Sequence, residues 1–173
     1  MNGPLPHTLH GLARRLGSRL NAQALARENA ALHGELQSTL TDGRLEGRAK
    51  VESISIRTPE QFRAHVLSAE FFDAENHPEV IFTSSDVDLW DDGTVTVEGD
   101  LTIKGITHPV TATGTWIAPE GDAFGNTRGH LNLEAQIDRT EFDMNWNAPL
   151  PSGGKALANE VTLTVELSLV EQD

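Results

Sequence analysis

From Glu79 to Trp116 the chain alternates apolar and polar residues at a period of two, with tight-turn residues set between the alternating runs. Val80, Phe82 and Ser84 fall on one face and Ile81, Thr83 and Ser85 on the other, until Asp92-Gly93 supplies the positive φ that a tight hairpin requires. Val95, Val97, Gly99, Leu101 and Ile103 then share one face of a strand, Lys104-Gly105 turns the chain, and Val110, Ala112, Gly114 and Trp116 alternate beyond it. Neighbouring strands joined by such short turns pair antiparallel, so this stretch commits the chain to a meander.

The same signal recurs on both sides. Leu36, Ser38 and Leu40 alternate up to a second hairpin signal, Asp42-Gly43. Leu45, Gly47, Ala49 and Val51 hold one face and Ile54 and Ile56 the other, which predicts a bulge near Ser53. Leu131, Leu133, Ala135 and Ile137 alternate, as do Val161, Leu163, Val165, Leu167 and Leu169. One helix interrupts the pattern: Thr58-Pro59-Glu60 reads as its start, Phe62, Val66, Leu67 and Phe71 as its apolar face, and Asn76-His77-Pro78 as its end. About seven strands with one inserted helix predict a closed or nearly closed antiparallel barrel.

Charge divides the chain. Residues 1–50 hold seven Lys or Arg against four Asp or Glu, and the remainder holds six against twenty-two, from totals of 13 and 26. Leu9, Leu12, Leu16 and Leu20, with Leu25 near the edge, recur at helical spacing beside Arg14, Arg15, Arg19 and Arg27, which predicts a basic amphipathic helix over an extension of residues 1–34, ahead of a barrel domain at 35–173. Three readings of that helix compete: it packs on the barrel, it lies on anionic lipid headgroups as a peripheral membrane contact, or it is a poorly ordered extension. The arginines interrupt the apolar run that a secretory signal needs, so the cytoplasm is the default expectation. A net charge of −13 argues against nucleic acid as a partner.

Catalytic and metal chemistry find little support in the residues. There is no Cys, and the seven histidines show no metal-ligand spacing beyond His7 and His10 near the terminus. Asp86, Asp88, Asp91 and Asp92 sit at strand ends and a turn, where solvated carboxylates are ordinary. Gly153-Gly154-Lys155-Ala156 lacks the spacing and the hydroxyl of a phosphate loop, no nucleophile elbow occurs, and Asp138-Arg139 reads as a turn or a structural ion pair. No enzyme activity, no metal and no cofactor are expected.

Several motifs follow one another in order over roughly residues 44 to 171: His65-x-x-Ser68-x-x-Phe71-Phe72-Asp73-Ala74, Pro78-x-Val80-x-Phe82, Gly99 through Val110, Phe124 through Arg128, Ile137-Asp138-Arg139-Thr140-Glu141-Phe142, Trp146-Asn147 and Glu160 through Leu163. Together they resemble the YceI family of lipocalin-like bacterial proteins that bind polyisoprenoid lipids. The initial Trp-containing strand and second strand of such proteins are not visible in residues 1–35. A barrel lacking them has an open edge, which the basic helix could cover or a second copy could pair with as a homodimer.

The resemblance implies a mainly β, lipocalin-like antiparallel barrel that sequesters or carries a polyisoprenoid lipid, a prenylated quinone being one form, without turnover. Relatives are often exported, and stress protection and lipid transport are implied for the family only. The bound lipid would sit in an apolar tunnel for which small inward residues, Gly99, Ala112, Gly114 and Ala135, leave volume. Leu67, Phe71 and Phe72 are expected near the mouth; Val80, Phe82, Leu101, Ile103, Val110, Trp116, Leu133, Ile137, Val161 and Leu163 along the wall; Phe142 and Trp146 at the far end. Gly114→Leu is expected to abolish lipid binding and spare folding if the tunnel passes there. The alternative is a barrel filled by its own side chains, acting as a homodimer or partner-binding protein with no lipid.

Overall fold

The computed structural model describes residues 7–8, 18–27, 32–41, 44–53, 60–121 and 123–170. Among them nine strands make one antiparallel sheet: β1 (His7–Thr8), β2 (Ser18–Arg27), β3 (Leu32–Thr41), β4 (Arg44–Lys50), β5 (Glu79–Leu89), β6 (Thr94–Ile103), β7 (Ile106–Gly121), β8 (Thr127–Asp138) and β9 (Glu160–Val170). The order β5-β4-β3-β2-β9-β8-β7-β6 returns to β5 through a β5–β6 pairing, so every strand except β1 belongs to a hydrogen-bonded ring. Beyond the end of the β4–β5 ladder, β1 pairs with Asp88 and Leu89 of β5.

The N-terminal region departs from the helical expectation. Residues 18–27, which carry Leu20 and Leu25, form β2, hydrogen-bonded to β3 from Ser18↔Leu40 to Ala26↔Leu32 and to β9 from Gln23↔Glu166 to Arg27↔Thr162. A strand therefore stands where missing N-terminal strands would have left a gap, and the edge that the helix could have covered or a second copy could have paired with is paired within the chain at β2. Leu20, Ala22, Ala24 and Ala26 do recur at period two, but alanine is a weak strand former and the three- and four-residue leucine spacing masks the alternation. Leu9, Leu12 and Leu16 lie outside the described residues.

The turns follow their residues. Lys104 (φ 54°) and Gly105 (φ 74°) form the two-residue turn that brings Ile103 opposite Ile106. At the other end of β6, Gly93 takes φ 85°, and the Asp92 carboxylate accepts from the Thr94 amide at 2.8 Å. Asp42-Gly43 lies outside the described residues, although Thr41 and Arg44 are register partners on either side of it.

Two local expectations need correction. After Lys50 the chain leaves the sheet through a 3-10 turn, Val51–Ser53, where a bulge was expected; Ile54 and Ile56 lie outside the described residues. The ladders shift register instead at Ser84/Asp86 in β5 and at Ile117/Glu120 in β7. In β5 the irregularity turns the buried Ser84 hydroxyl to the Leu45 amide of β4 at 2.8 Å, supplying a partner where the β4–β5 ladder has ended. The helix α1 (Glu60–Leu67) stops well before His77, because the Ser68 hydroxyl bonds back to the His65 carbonyl at 2.6 Å and the chain continues in turns. Phe62, expected on its apolar face, is 60% exposed.

Candidate functional site

Alternation along five strands directs an apolar face into the ring, and two clusters divide that interior along its axis. The upper cluster lies where β6 begins and β9 ends. Val95 and Val97 are completely buried there, with Val87, Leu89, Leu131, Leu133, Leu167 and Leu169 around them. Trp116 borders this cluster, and its indole Nε1 donates to the Trp90 carbonyl at 3.3 Å across the adjacent hairpin. Most of this cluster is buried, with Trp116, Ala135 and Val165 half-buried at its border.

The lower cluster lies where β6 ends and β9 begins. Leu101, Ile103, Ile137, Phe142 and Met144 are buried in it, and Phe72, Val80, Ile106, Val110, Val161 and Leu163 pack against it while remaining half-buried. Phe82 touches both clusters. Inward apolar side chains of a hydrogen-bonded ring stay accessible only where solvent reaches them from inside or from its end. Gly47 and Ala49 of β4 are the register partners of Phe82 and Val80, so small side chains line the wall beside them.

Sequence reasoning placed Leu67, Phe71 and Phe72 at one end and Phe142 and Trp146 at the other. The structure brings residues of both sets together: Phe72 with Phe142, and Phe71 with Trp146. Phe72 and Phe142 belong to the same cluster. Phe71 stands 5.6 Å from Trp146 between ring centroids, and His65 lies edge-on to both, at 5.0 and 4.6 Å. Leu67 is half-buried at the last position of α1. The expected wall residues divide between the clusters: Leu133 and Trp116 belong to the packed upper end, and Val80, Leu101, Ile103, Val110, Ile137, Val161 and Leu163 to the lower one.

The small inward residues do not all leave volume. A Cβ on Gly114 would stand 1.7 Å from the Asn132 carbonyl oxygen of β8, so this glycine permits a close strand approach. A Cβ on Gly99 would meet the Thr83 carbonyl oxygen at 2.4 Å and Phe82 Cζ at 2.7 Å. Ala112 is buried in the upper cluster, and Ala135 borders it half-buried. The expectation that Gly114→Leu spares folding is thereby corrected, since the added side chain collides with backbone.

Polar residues outside the expected mouth and wall organise the lower end. His65 Nε2 meets Glu70 Oε2 at 2.8 Å, and His108 Nε2 meets the Glu141 carbonyl at 2.9 Å while its ring stands edge-on to Phe142 at 5.2 Å. Asp138 caps the 3-10 turn after β8, accepting from the Thr140 hydroxyl at 2.5 Å and amide at 2.8 Å; these bonds hold its carboxyl below the ordinary aspartate range. Arg139 donates to backbone carbonyls, and its charge adds a smaller lowering to the Asp138 carboxyl, so the pair makes a turn with charge attraction but no direct hydrogen bond between the two side chains. Arg139 opens the 3-10 turn just past β8, where the strand's period of two no longer holds, so alternation carried no signal of its burial. Among the described residues no group of three or more His, Asp or Glu is arranged to hold a metal, and no helix is long and apolar enough to cross a membrane.

Comparison with known proteins joins this geometry to a family. The model of the YceI-like domain matches residues 18–169, beginning at the first residue of β2 and running almost to the end of β9. The chain belongs to the YceI-like family. A UPF0312 protein of Pseudomonas putida is 35% identical over 78 residues, which are 45% of this chain and 41% of that protein, so the match spans less than half of the relative's length. The fold resembles the crystal structure of Burkholderia cenocepacia BcnA, with a TM-score of 0.64 at 20% identity over 86% of this chain and 95% of that one. It also resembles a polyisoprenoid binding domain from Saccharophagus degradans, implicated in plant cell wall breakdown, with a TM-score of 0.53 at 12% identity over 90% and 94% of the two chains. The YceI-like barrel seen here thus has a packed upper half and a partly accessible lower half, with the His65, Phe71 and Trp146 rings at the lower end.

Proposed function

We propose that this YceI-like barrel binds a linear polyisoprenoid lipid in the lower half of its interior and holds it without chemical turnover, as a sequestering or carrier protein. The observation that carries the reading is the contrast between Val95 and Val97, completely buried at the upper end, and Val80, Phe82, Val110, Val161 and Leu163, inward yet half-buried at the lower end. Apolar walls that keep some water contact gain free energy when a greasy chain displaces it, at about 25 cal/mol per Å² of apolar surface buried. Such a ligand needs area more than directed bonds. Membership of the YceI-like family and the likeness to a polyisoprenoid binding domain support the same class, and a prenylated quinone is one member of it.

The test is to purify the protein from its own host, extract it with organic solvent, and identify co-purifying lipid by mass spectrometry with its ratio to protein. A near-stoichiometric prenyl lipid is the expected result. An empty extract from well-folded protein would overturn the reading.

A further inference from the structure

Between β8 and β9 the chain leaves the lower end of the barrel as a small hairpin. From Met144 to Asn159 it carries no Asp or Glu and a single Lys, in a chain with 26 acidic residues. Pro149 pairs with Lys155 across it, the Leu150 amide donates to the Gly154 carbonyl at 3.1 Å, and the Ala156 amide donates to the Ala148 carbonyl at 2.9 Å. Pro151 sits in the tip turn, which the Gly153 amide closes by donating to the Leu150 carbonyl at 2.9 Å, with Gly153 at φ 85°. The Asn147 side chain fixes the base: Nδ2 donates to the Leu157 carbonyl at 2.7 Å, and Oδ1 accepts from the Leu157 and Ala148 amides at 3.0 and 2.9 Å. The buried Arg139 clamps both legs, donating to the Trp146 carbonyl at 2.9 Å and the Ala158 carbonyl at 2.8 Å. Yet every residue from Pro149 to Asn159 is exposed, Leu150 at 44% and Leu157 at 37%.

A hairpin held this firmly at its base while its apolar side chains stand in water is built to present them. A second copy or a protein partner covers one side of such an element, whereas a bilayer surrounds it, which matches exposure along both legs and the tip. Its backbone suits a medium poor in hydrogen-bond partners: Pro149 and Pro151 have no N–H, and the amides of Ala148, Leu150, Gly153, Ala156 and Leu157 donate within the hairpin. Its charge suits one as well, since Lys155 is attracted to lipid phosphates and no carboxylate in the segment is repelled by them. We propose that this hairpin seats the barrel on a lipid bilayer, with Leu150 and Leu157 among the headgroups and upper acyl carbons. Trp146 at its base touches His65 of α1, and Phe62, three residues before His65 and on the same side of that helix, adds an exposed apolar side chain from a second element. The inference rests on the lipid-binding reading for its purpose, because the seat lies at the end where the inward wall is accessible and sets that end against the membrane that supplies or receives the chain.

The test uses delipidated full-length protein and phosphatidylcholine vesicles. The sequence has no Cys, so Leu150→Cys takes one environment-sensitive dye at the tip, and Thr115→Cys, exposed on β7 at the upper end, takes it as the control. With vesicles, the emission at position 150 should move to the blue and be quenched by spin labels placed at shallow depth in the bilayer, while that at position 115 stays in place. No shift at 150, or equal shifts at both positions, would overturn the inference. A shift that needs no vesicles and grows with protein concentration would assign the hairpin to a second copy and overturn it as well. Leu150→Ser combined with Leu157→Ser should lower partitioning into the vesicles about tenfold in a flotation assay and leave farnesol binding in solution unchanged, and undiminished flotation would overturn the role of the two leucines. Farnesol binding without vesicle binding would overturn this inference and leave the lipid-binding reading standing. Vesicle binding without farnesol binding would uphold the seat and overturn that reading.

Discussion

The imidazole of His65 stands edge-on to the indole of Trp146, with ring centroids 4.6 Å apart and planes at 89°. This contact joins α1, inserted between β4 and β5, to the segment between β8 and β9, two parts of the chain whose only shared feature is the lower end of the barrel. Phe71 completes the cluster and Glu70 holds the far side of the imidazole. The rings therefore fasten the two segments to each other.

Trp146→Ala should loosen that fastening without dissolving the barrel. We expect a stability loss of about 2 kcal/mol, below that of a fully buried aromatic because Trp146 is only half-buried. Hydrogen exchange at the turn amides of residues 71–77 should accelerate more than that of the β6 amides, and mass-resolved exchange after pepsin cleavage would check it.

The two ends of the interior should answer differently to truncation. Val97→Ala at the packed end should cost about 2 kcal/mol, whereas Val161→Ala at the partly accessible end should cost less than about 1 kcal/mol. Urea unfolding of both variants gives the comparison, and equal losses would mean that the lower half is as tightly filled as the upper.

Filling the lower end should separate binding from folding. Leu163→Trp adds bulk where the wall is half-buried, so retention of co-purifying lipid should fall at least about fivefold, while the cost in stability stays within the roughly 1–3 kcal/mol of an overpacked site. Lipid-to-protein ratio and urea midpoint, measured on one preparation, would show whether the two effects part.

Gly114→Ala should behave as a folding defect. Its Cβ would lie 1.7 Å from the Asn132 carbonyl oxygen, a backbone atom that cannot swing aside, so β7 and β8 must separate. We expect a loss of more than about 3 kcal/mol or insoluble protein, read from soluble yield and thermal melting.

Acid should weaken the fold through two turn carboxylates. The Thr94 hydroxyl and amide hold Asp92 below its ordinary value, and the Thr140 hydroxyl and amide do the same for Asp138. The unfolded chain takes up these protons first as pH falls, so the contribution is fully present above about pH 4 and is lost as pH drops through the folded values. The urea midpoint should decline less steeply below pH 4 in Asp138→Asn than in the unaltered protein, and identical slopes would remove Asp138 from the explanation.

Much of the strand pattern could be read in advance because period two is a local property. Val95 to Ile103 and Leu131 to Ile137 alternate without competition, and Asp92-Gly93 and Lys104-Gly105 mark their turns with residues that tolerate positive φ. β2 escaped because two periodicities overlap in it: leucines at helical spacing are conspicuous, and alanines at period two are not. Its conformation comes from β3 and β9, between which its amides and carbonyls find their partners.

The meander, its turns, the apolar inward face and the family resemblance of His65 through Ala74 and of Gly99 through Val110 are local properties and can be read along the chain. How that face is divided between packed core and accessible wall comes from contacts made only in the fold. Alternation says which way Val97 and Val161 point, but whether each is fully covered depends on neighbours far away in sequence. Burial is also what changes the meaning of a residue such as Arg139. In the sequence it is one cation beside one carboxylate; in the fold its guanidinium reaches carbonyls as distant as Ala158, leaving Nη2 unpaired in a place that water hardly reaches.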